Sequence, residues 1–409
     1  MSIIVENSVF RLFGKIQHYP WGGHSFIPAL LGFQPEPDTT YAEYWMGAHE
    51  KMPSEILQDD GTTTALDTLI KEQPDKLLGR RVAQQYGRLP YLFKLLDVRE
   101  MLSVQVHPNK AEAEIGFAQE NMLGIPLTAP ERNYKDDNHK PELQLALSDF
   151  WLLHAFRPED QILKVLNEVP EFHTLLPLFA HGGYQGLYKH IMEMPLDRVV
   201  SLLDPLAQRI LRQYEAGTLE KTSPDYWAAK AIKDRSEDAY DRGIFSIYLF
   251  NLIKMEPGSA IFQDAGIPHA ALEGQAIEIM ANSDNVIRGG LTPKHVDVPQ
   301  LLKLVTFQGI TPTIVEGKAE SFAHEFFYRS PSRYFGLSKI ELQKGERYEN
   351  MTSSTEIMLM YSGETLLTAI DKEMVVQKGG SMLIPAEKNY RLQALSDDVV
   401  IFKAFIPTT

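Results

Sequence analysis

The run Leu102-Ser103-Val104-Gln105-Val106-His107-Pro108-Asn109-Lys110 constrains the fold more than any other stretch of the chain. Its polar and apolar residues alternate, and side chains of a β-strand alternate between two faces. Ser103, Gln105 and His107 therefore share one face, while Val104 and Val106 point the other way into a core. A glutamine and a histidine two residues apart bring a carbonyl oxygen and an imidazole nitrogen to one point, a pair that suits a borderline metal such as zinc. Two ligands do not make a site. Only two further stretches set His or Glu in an equally specific context, Asn138-His139-Lys140-Pro141-Glu142 and Gly266-Ile267-Pro268-His269.

The same alternation runs through the neighbouring blocks. From Pro141 to Leu147 it puts Leu143, Leu145 and Leu147 on a core face and Glu142 with Gln144 on the opposite one, with Lys140 sharing their parity. In Ala276-Ile277-Glu278-Ile279-Met280 the acid faces away from the two isoleucines. Asn282-Ser283-Asp284-Asn285 then turns the chain, and Arg288 follows immediately before Gly289-Gly290, where glycines let the backbone approach a ligand closely. Tyr91 to Leu96 is a buried strand that carries one lysine, Lys94. Taken singly, Lys140 with Glu142 is a solvated ion pair, Arg288 a surface arginine and Lys94 a snorkelling side chain.

Composition limits the chemistry. With no cysteine in 409 residues, disulfides and thiolate metal sites are excluded, so any metal must be held by nitrogen and oxygen. A formal net charge of -14 argues against a nucleic-acid partner, and an anionic substrate would require basic residues gathered locally. No apolar run approaches the roughly 20 residues of a membrane helix, so no membrane partner is expected. The chain shows no basic N-terminal segment followed by an apolar stretch, and a cytoplasmic location fits. A monomer or weak homo-oligomer is expected.

Periodicity changes along the chain. Between Thr63 and Gln85 the apolar spacing predicts a pair of short helices interrupted at Pro74, and a further short helix is expected over Lys110 to Gln119. From Arg157 to about Ser236 the pattern is helical: Pro158-Glu159-Asp160 starts a helix, and Leu196, Val199, Val200, Leu203, Leu206, Ile210 and Leu211 mark another, broken or kinked near Pro205 and closed by Gly217. His173, His181, His190 and the glycine-rich Gly182 to Gly186 lie there without a supporting context and receive no role. Strands are expected to resume at Ile244 with SIYLFNLIKM. The last stretch alternates over Ser338 to Leu342, Glu356 to Tyr361, Thr365 to Ile370, Met374 to Gln377 and Val399 to Phe405.

Several blocks carry a family likeness. Gly258 to His269 resembles the second cupin motif, G-x5-P-x-G-x2-H, with Asp264 in the proline position; Gln105-Val106-His107 with Glu142 echoes the first. Gly379 to Tyr390 repeats G-x5-P, but Glu387 replaces the second glycine and Tyr390 the histidine. SVQVHPNK, NHKPE, GIPHA and AIEIMANSDNVIRGGLTPK, with YAEYWMGAHE and GRLPYLFKLL, resemble the signature blocks of type I phosphomannose isomerases. The resemblance implies a mainly β fold with an α insertion: two cupin-like β-barrels (jelly rolls) and a helical domain. Expected domains are a discontinuous catalytic barrel over 1–156 and 237–318, a helical insertion over 157–236 and a metal-free cupin-like barrel over 319–409.

It further implies a zinc-dependent interconversion of mannose 6-phosphate and fructose 6-phosphate, with one Zn2+ per chain held by Gln105, His107, Glu142 and His269. Arg288 would supply positive charge and Glu278 would carry the proton, with His139 and Lys140 behind it. Ser103, Lys94, Lys294 and Asp284 would bind the sugar phosphate. One departure is Ala271, where many relatives have a tyrosine two positions after the motif histidine; it touches the pocket's shape and not the metal ligands. A cupin that activates oxygen and a non-catalytic sugar-phosphate sensor are the rival classes. The glutamine ligand and gathered lysines weigh against the first, and the retained Arg288 and ligand set against the second.

Overall fold

The computed structural model describes residues 9–58, 60–234, 240–320, 324–370 and 372–408. The expected boundary at 236/237 and the two chain ends, 1–8 and 409, lie outside the described residues. The architecture is mainly β with helices, as the sequence implies.

The blocks that carry polar side chains meet in one eleven-stranded sheet. Its axis is the long strand His269–Ala281. Toward its C-terminal end that strand pairs with Tyr91–Val98 on one side and Glu142–Ala146 on the other. Toward its start it pairs instead with Phe150–Phe156 and with the two-residue strand Gln105–Val106. The change of partners occurs around a register shift and Gly274, which has φ +123° and whose missing Cβ would lie 2.5 Å from the Asp149 carbonyl. Only glycine tolerates that bend, and it lets both ends of one strand serve one interior.

The register aligns the polar residues in rungs. Glu278 lies opposite both Lys94 and Gln144, and Gln263 lies opposite Glu142. His269 lies opposite Gln105 and His154, and Arg288 lies opposite Gln105. Directly opposed residues of an antiparallel pair share a face. Their chain neighbours Val104, Val106, Leu153, Ala270 and Ile287 all enter one hydrophobic cluster on the other side, against the helices Glu159–Glu168, Leu176–Glu193, Leu196–Glu215, Pro224–Lys233 and Gly243–Leu249. Burying each valine, leucine or isoleucine among them stabilises the strands by about 1.5–3 kcal/mol. The helices thus hold down the outer face and leave the polar face inward.

Several expectations need correction. The strand expected over Leu102 to Lys110 shrinks to Gln105–Val106, because Pro108 follows and the Asn109 side chain caps the helix Lys110–Met122 in a capping box with Glu112. The pair of helices before Gln85 is three short ones, Leu66–Glu72, Pro74–Leu78 and Arg80–Tyr86, separated at Gln73 and Gly79. The run expected as strand from Ile244 begins as the helix Gly243–Leu249, and the strand starts only at Phe250. Every residue of that helix is buried, so its sequence shows no amphipathic period; the Asp241 carboxylate accepts the Gly243 N–H and starts the turn. The helix Leu196–Glu215 runs through Pro205 as one element.

The C-terminal strands form a nine-stranded and a four-stranded sheet, and the strand Phe10–Phe13 joins the first by pairing with Ser381–Ile384. Where Gly266 turns with φ +75° before His269, Glu387 turns with φ +60° before Tyr390. The Tyr390 hydroxyl donates to Glu356 at 2.8 Å in a buried network around the Lys403 ammonium, which also holds Glu325 at 2.6 Å. No helix among the described residues is long and apolar enough to cross a membrane.

Candidate metal centre

His107, Glu142 and His269 converge in the interior of the eleven-stranded sheet, with ligand atoms within 4.8 Å of one another. His107 is fully buried and donates Nδ1–H to the Asn285 carbonyl at 2.7 Å. His269 does the same to the Ile267 carbonyl at 2.9 Å, inside the turn that precedes it. In the neutral rings this leaves two Nε2 lone pairs facing one carboxylate, 3.5 Å from Glu142 Oε1 and 3.4 Å from Oε2. His107 Nε2 makes no hydrogen bond among the described residues. Lone pairs facing carboxylate oxygens repel each other unless a cation lies between them. Ligand atoms around a tetrahedral zinc at about 2.0–2.1 Å stand roughly 3.3 Å apart, close to these separations. The residues fit the ion.

Electrostatics agree. Burial and then the Lys140 ammonium push His107 well below its ordinary pKa, so the ring stays neutral and free to ligate. Burial raises the Glu142 carboxyl, but its neighbours, the Lys140 ammonium foremost, outweigh that and hold it well below its ordinary range. Lys140 Nζ lies 2.7 Å from Glu142 Oε1. Gln105 lies opposite His269 on the same face.

Close to Glu142, Lys94 lies 2.9 Å from Glu278 and 3.4 Å from Glu43. Burial opposes its charge, yet Glu278, Glu43 and Glu142 raise its pKa above that of an ordinary lysine. Gln144 donates to Glu278 at 2.9 Å, and Trp45 donates to Glu43. The half-buried Arg288 side chain has no hydrogen bond or ion pair among the described residues, and burial lowers its pKa. Lys135 feels both Arg288 and Lys51, so three cations stand near one another at the rim.

A model of the type I phosphomannose isomerase catalytic domain matches residues 9–159. The mannose-6-phosphate isomerase of Salmonella typhimurium is 35% identical over 387 residues, covering 93% of this chain and 95% of that protein. The chain belongs to the type I phosphomannose isomerase family. The human mannose-6-phosphate isomerase is 32% identical over 431 residues, covering 97% of this chain and 98% of that one. A crystal structure of the Salmonella typhimurium enzyme bound to fructose 6-phosphate and zinc matches with a TM-score of 0.86 at 32% identity, covering 98% of this chain and all of that one. A crystal structure of a mannose 6-phosphate isomerase bound with zinc and yttrium matches with the same TM-score at 33% identity.

Of the residues that membership of the phosphomannose isomerases singles out, the structure brings together His107, Glu142, His269, Lys140, Gln105, Arg288, Glu278 and Lys94. His139 turns the other way: its ring packs edge-on against Tyr334 with centroids 4.3 Å apart, and burial followed by Lys110 pushes its pKa down to about 4. Asp284 is engaged at the rim with His49 at 3.2 Å and Lys51 at 2.5 Å. Although burial raises the Asp284 carboxyl, those two partners hold it below the ordinary range. Lys294 is exposed, and the half-buried Ser103 makes no side-chain hydrogen bond among the described residues. Sequence reading missed Glu43, Gln263 and His154. Glu43 sits within the YAEYW block; His154 lies in an apolar strand, with no polar neighbour to advertise it.

Proposed function

We propose that the protein is a zinc-dependent aldose-ketose isomerase that interconverts mannose 6-phosphate and fructose 6-phosphate. The observation that carries this reading is the pair of Nδ1-anchored imidazoles presenting Nε2 lone pairs to one buried carboxylate. The relatives are mannose-6-phosphate isomerases, and one solved relative is bound to fructose 6-phosphate and zinc.

Gln105, His107, Glu142 and His269 would hold the ion. When bound, zinc supplies a Lewis acid that polarises sugar oxygens without redox chemistry. The chain's own residues account for the rest. Isomerisation moves a proton between C1 and C2 through a cis-enediol, so a base must reach one face of the sugar. Glu278 is the proposed proton carrier, buried, with Lys94 and Gln144 fixing its oxygens. The Lys140 ammonium, beside Glu142, is proposed to hydrogen-bond the sugar oxygen whose charge grows in the transition state. His139 faces Tyr334 and takes no part. Arg288, unpaired and on the face of Gln105, offers preorganised positive charge to the enediolate or the phosphate. Lys135 and Lys51 lie near Arg288, where the phosphate would dock, whereas exposed Lys294 reaches it only from outside. The reaction proposed suits an enzyme of the cytoplasm, acting on a small sugar phosphate as a single chain or a weak homo-oligomer.

The test is a coupled assay for fructose 6-phosphate formed from mannose 6-phosphate. Activity should disappear on chelation and return with zinc. A zinc-replete protein without turnover would overturn the reading in favour of a sensor.

A further inference from the structure

His154 lies directly opposite the ligand His269 and shares its face, and its ring is buried. Its Nδ1 lies 2.9 Å from Gln263 Oε1; Gln263 Nε2 donates to Gln144 Oε1 at 3.3 Å, and Gln144 Nε2 donates to Glu278 Oε1 at 2.9 Å. The direction of this chain is forced from one end. Glu278, ion-paired to Lys94, only accepts; Gln144 must therefore present its amide N–H to Glu278 and its oxygen to Gln263. Gln263 in turn has only its oxygen left for His154, which must donate from Nδ1. A carboxylate at one end of the pocket thus selects the Nδ1–H tautomer of a histidine at the other and leaves its Nε2 as a bare acceptor. That Nε2 has no hydrogen-bond partner among the described residues.

The backbone adds a second observation. Ala155, the next residue, is buried and adopts φ +53°, a left-handed conformation unfavourable for a non-glycine residue. Asn251 Nδ2 holds this bulge by donating to the His154 carbonyl at 2.9 Å and the Phe156 carbonyl at 3.1 Å, and the Ala155 N–H bonds to the Pro268 carbonyl of the ligand turn at 2.8 Å. Bulges held in this way re-aim side chains beside functional sites.

We propose that His154 is a specificity-determining residue whose Nε2 accepts a hydrogen bond from a sugar hydroxyl beside the metal, and that Gln263 and Gln144 are positioning residues that hold its tautomer. This rests on the isomerase reading above. The decisive variant is His154→Asn, whose amide N–H can still donate to Gln263 while nothing replaces Nε2. In the zinc-loaded enzyme the KM for mannose 6-phosphate should rise about five- to tenfold with kcat within threefold and zinc content unchanged. A KM within twofold of wild type, or loss of zinc, overturns the proposal. Independently of turnover, long-range proton–nitrogen NMR of the wild-type protein should show His154 protonated at Nδ1 alone; an Nε2–H ring overturns it. Gln263→Met, which removes the acceptor of the His154 Nδ1–H without touching Glu278, should raise KM and admit the Nε2–H tautomer; a ring still protonated at Nδ1 alone overturns the positioning role. Absence of wild-type turnover would instead strike the isomerase reading, while the tautomer measurement would still test the chain of amides.

Discussion

His107 donates its Nδ1–H to the backbone carbonyl of Asn285 at 2.7 Å, and that bond aims Nε2 at Glu142. The carbonyl is held in turn by the fully buried Asn285 side chain, which accepts from the Lys135 N–H at 2.6 Å and donates to the Asp136 and Asn138 carbonyls at 2.8 Å each. Partners that orient a ligand commonly matter 10–100-fold for metal affinity. Asn285→Ala should therefore weaken zinc binding by roughly that factor, measured by competition with a chelating dye, although Asn285 never touches the ion.

Glu278→Gln keeps the volume and removes the base. If Glu278 carries the proton, kcat should fall by about 10²–10⁴-fold, and exchange of the substrate's C2 hydrogen with solvent should slow in parallel, with zinc content unchanged. Lys140→Met showing the larger loss of exchange would move the proton to Lys140.

Arg288→Ala removes a guanidinium that has no partner among the described residues, so nothing else in the fold should suffer. Turnover should drop about 10²–10³-fold while the melting temperature changes little, read from the coupled assay and a thermal melt.

Lys403 sits between Glu325 and Glu356 in the C-terminal sheets, and Tyr348 lies 3.0 Å from its Nζ. Lys403→Met leaves two buried carboxylates without their cation and should cost about 3–5 kcal/mol of stability in denaturant titration. Zinc content of the folded fraction should stay as in wild type.

Acid sensitivity follows from His139. The unfolded ring takes its proton near pH 6.5 and the folded one only near 4, so between those values the unfolded chain binds more protons. Stability contributed by the neutral ring is fully present above pH 6.5 and is lost as pH falls toward 4, by about 1–2 kcal/mol after allowing for solvent screening. His139→Phe, which keeps the contact with Tyr334, should flatten the melting temperature over that window.

The convergence of His107, Glu142 and His269 was legible because strict alternation fixes parity: Lys140, Glu142 and Gln144 share a face in the structure as they do on paper, and the Gly266 turn delivers His269 to the same interior. Parity also marks where sequence reading strayed. His139, adjacent to Lys140, belongs to the opposite face and meets Tyr334 there. Gly243–Leu249 is apolar on all sides, so no period distinguished helix from strand. His154 and Gln263 owe their importance to register between strands distant in sequence, as does the pairing of Phe10–Phe13 with Ser381–Ile384, and a single sequence does not encode register locally.

The most direct measurement is anomalous diffraction at the zinc edge from crystals of the zinc-loaded protein. One peak is expected within bonding distance of His107 Nε2, His269 Nε2, a Glu142 oxygen and the Gln105 amide oxygen. A peak elsewhere, or no ion between these four side chains at saturating zinc, would contradict the metal centre on which the chemistry depends.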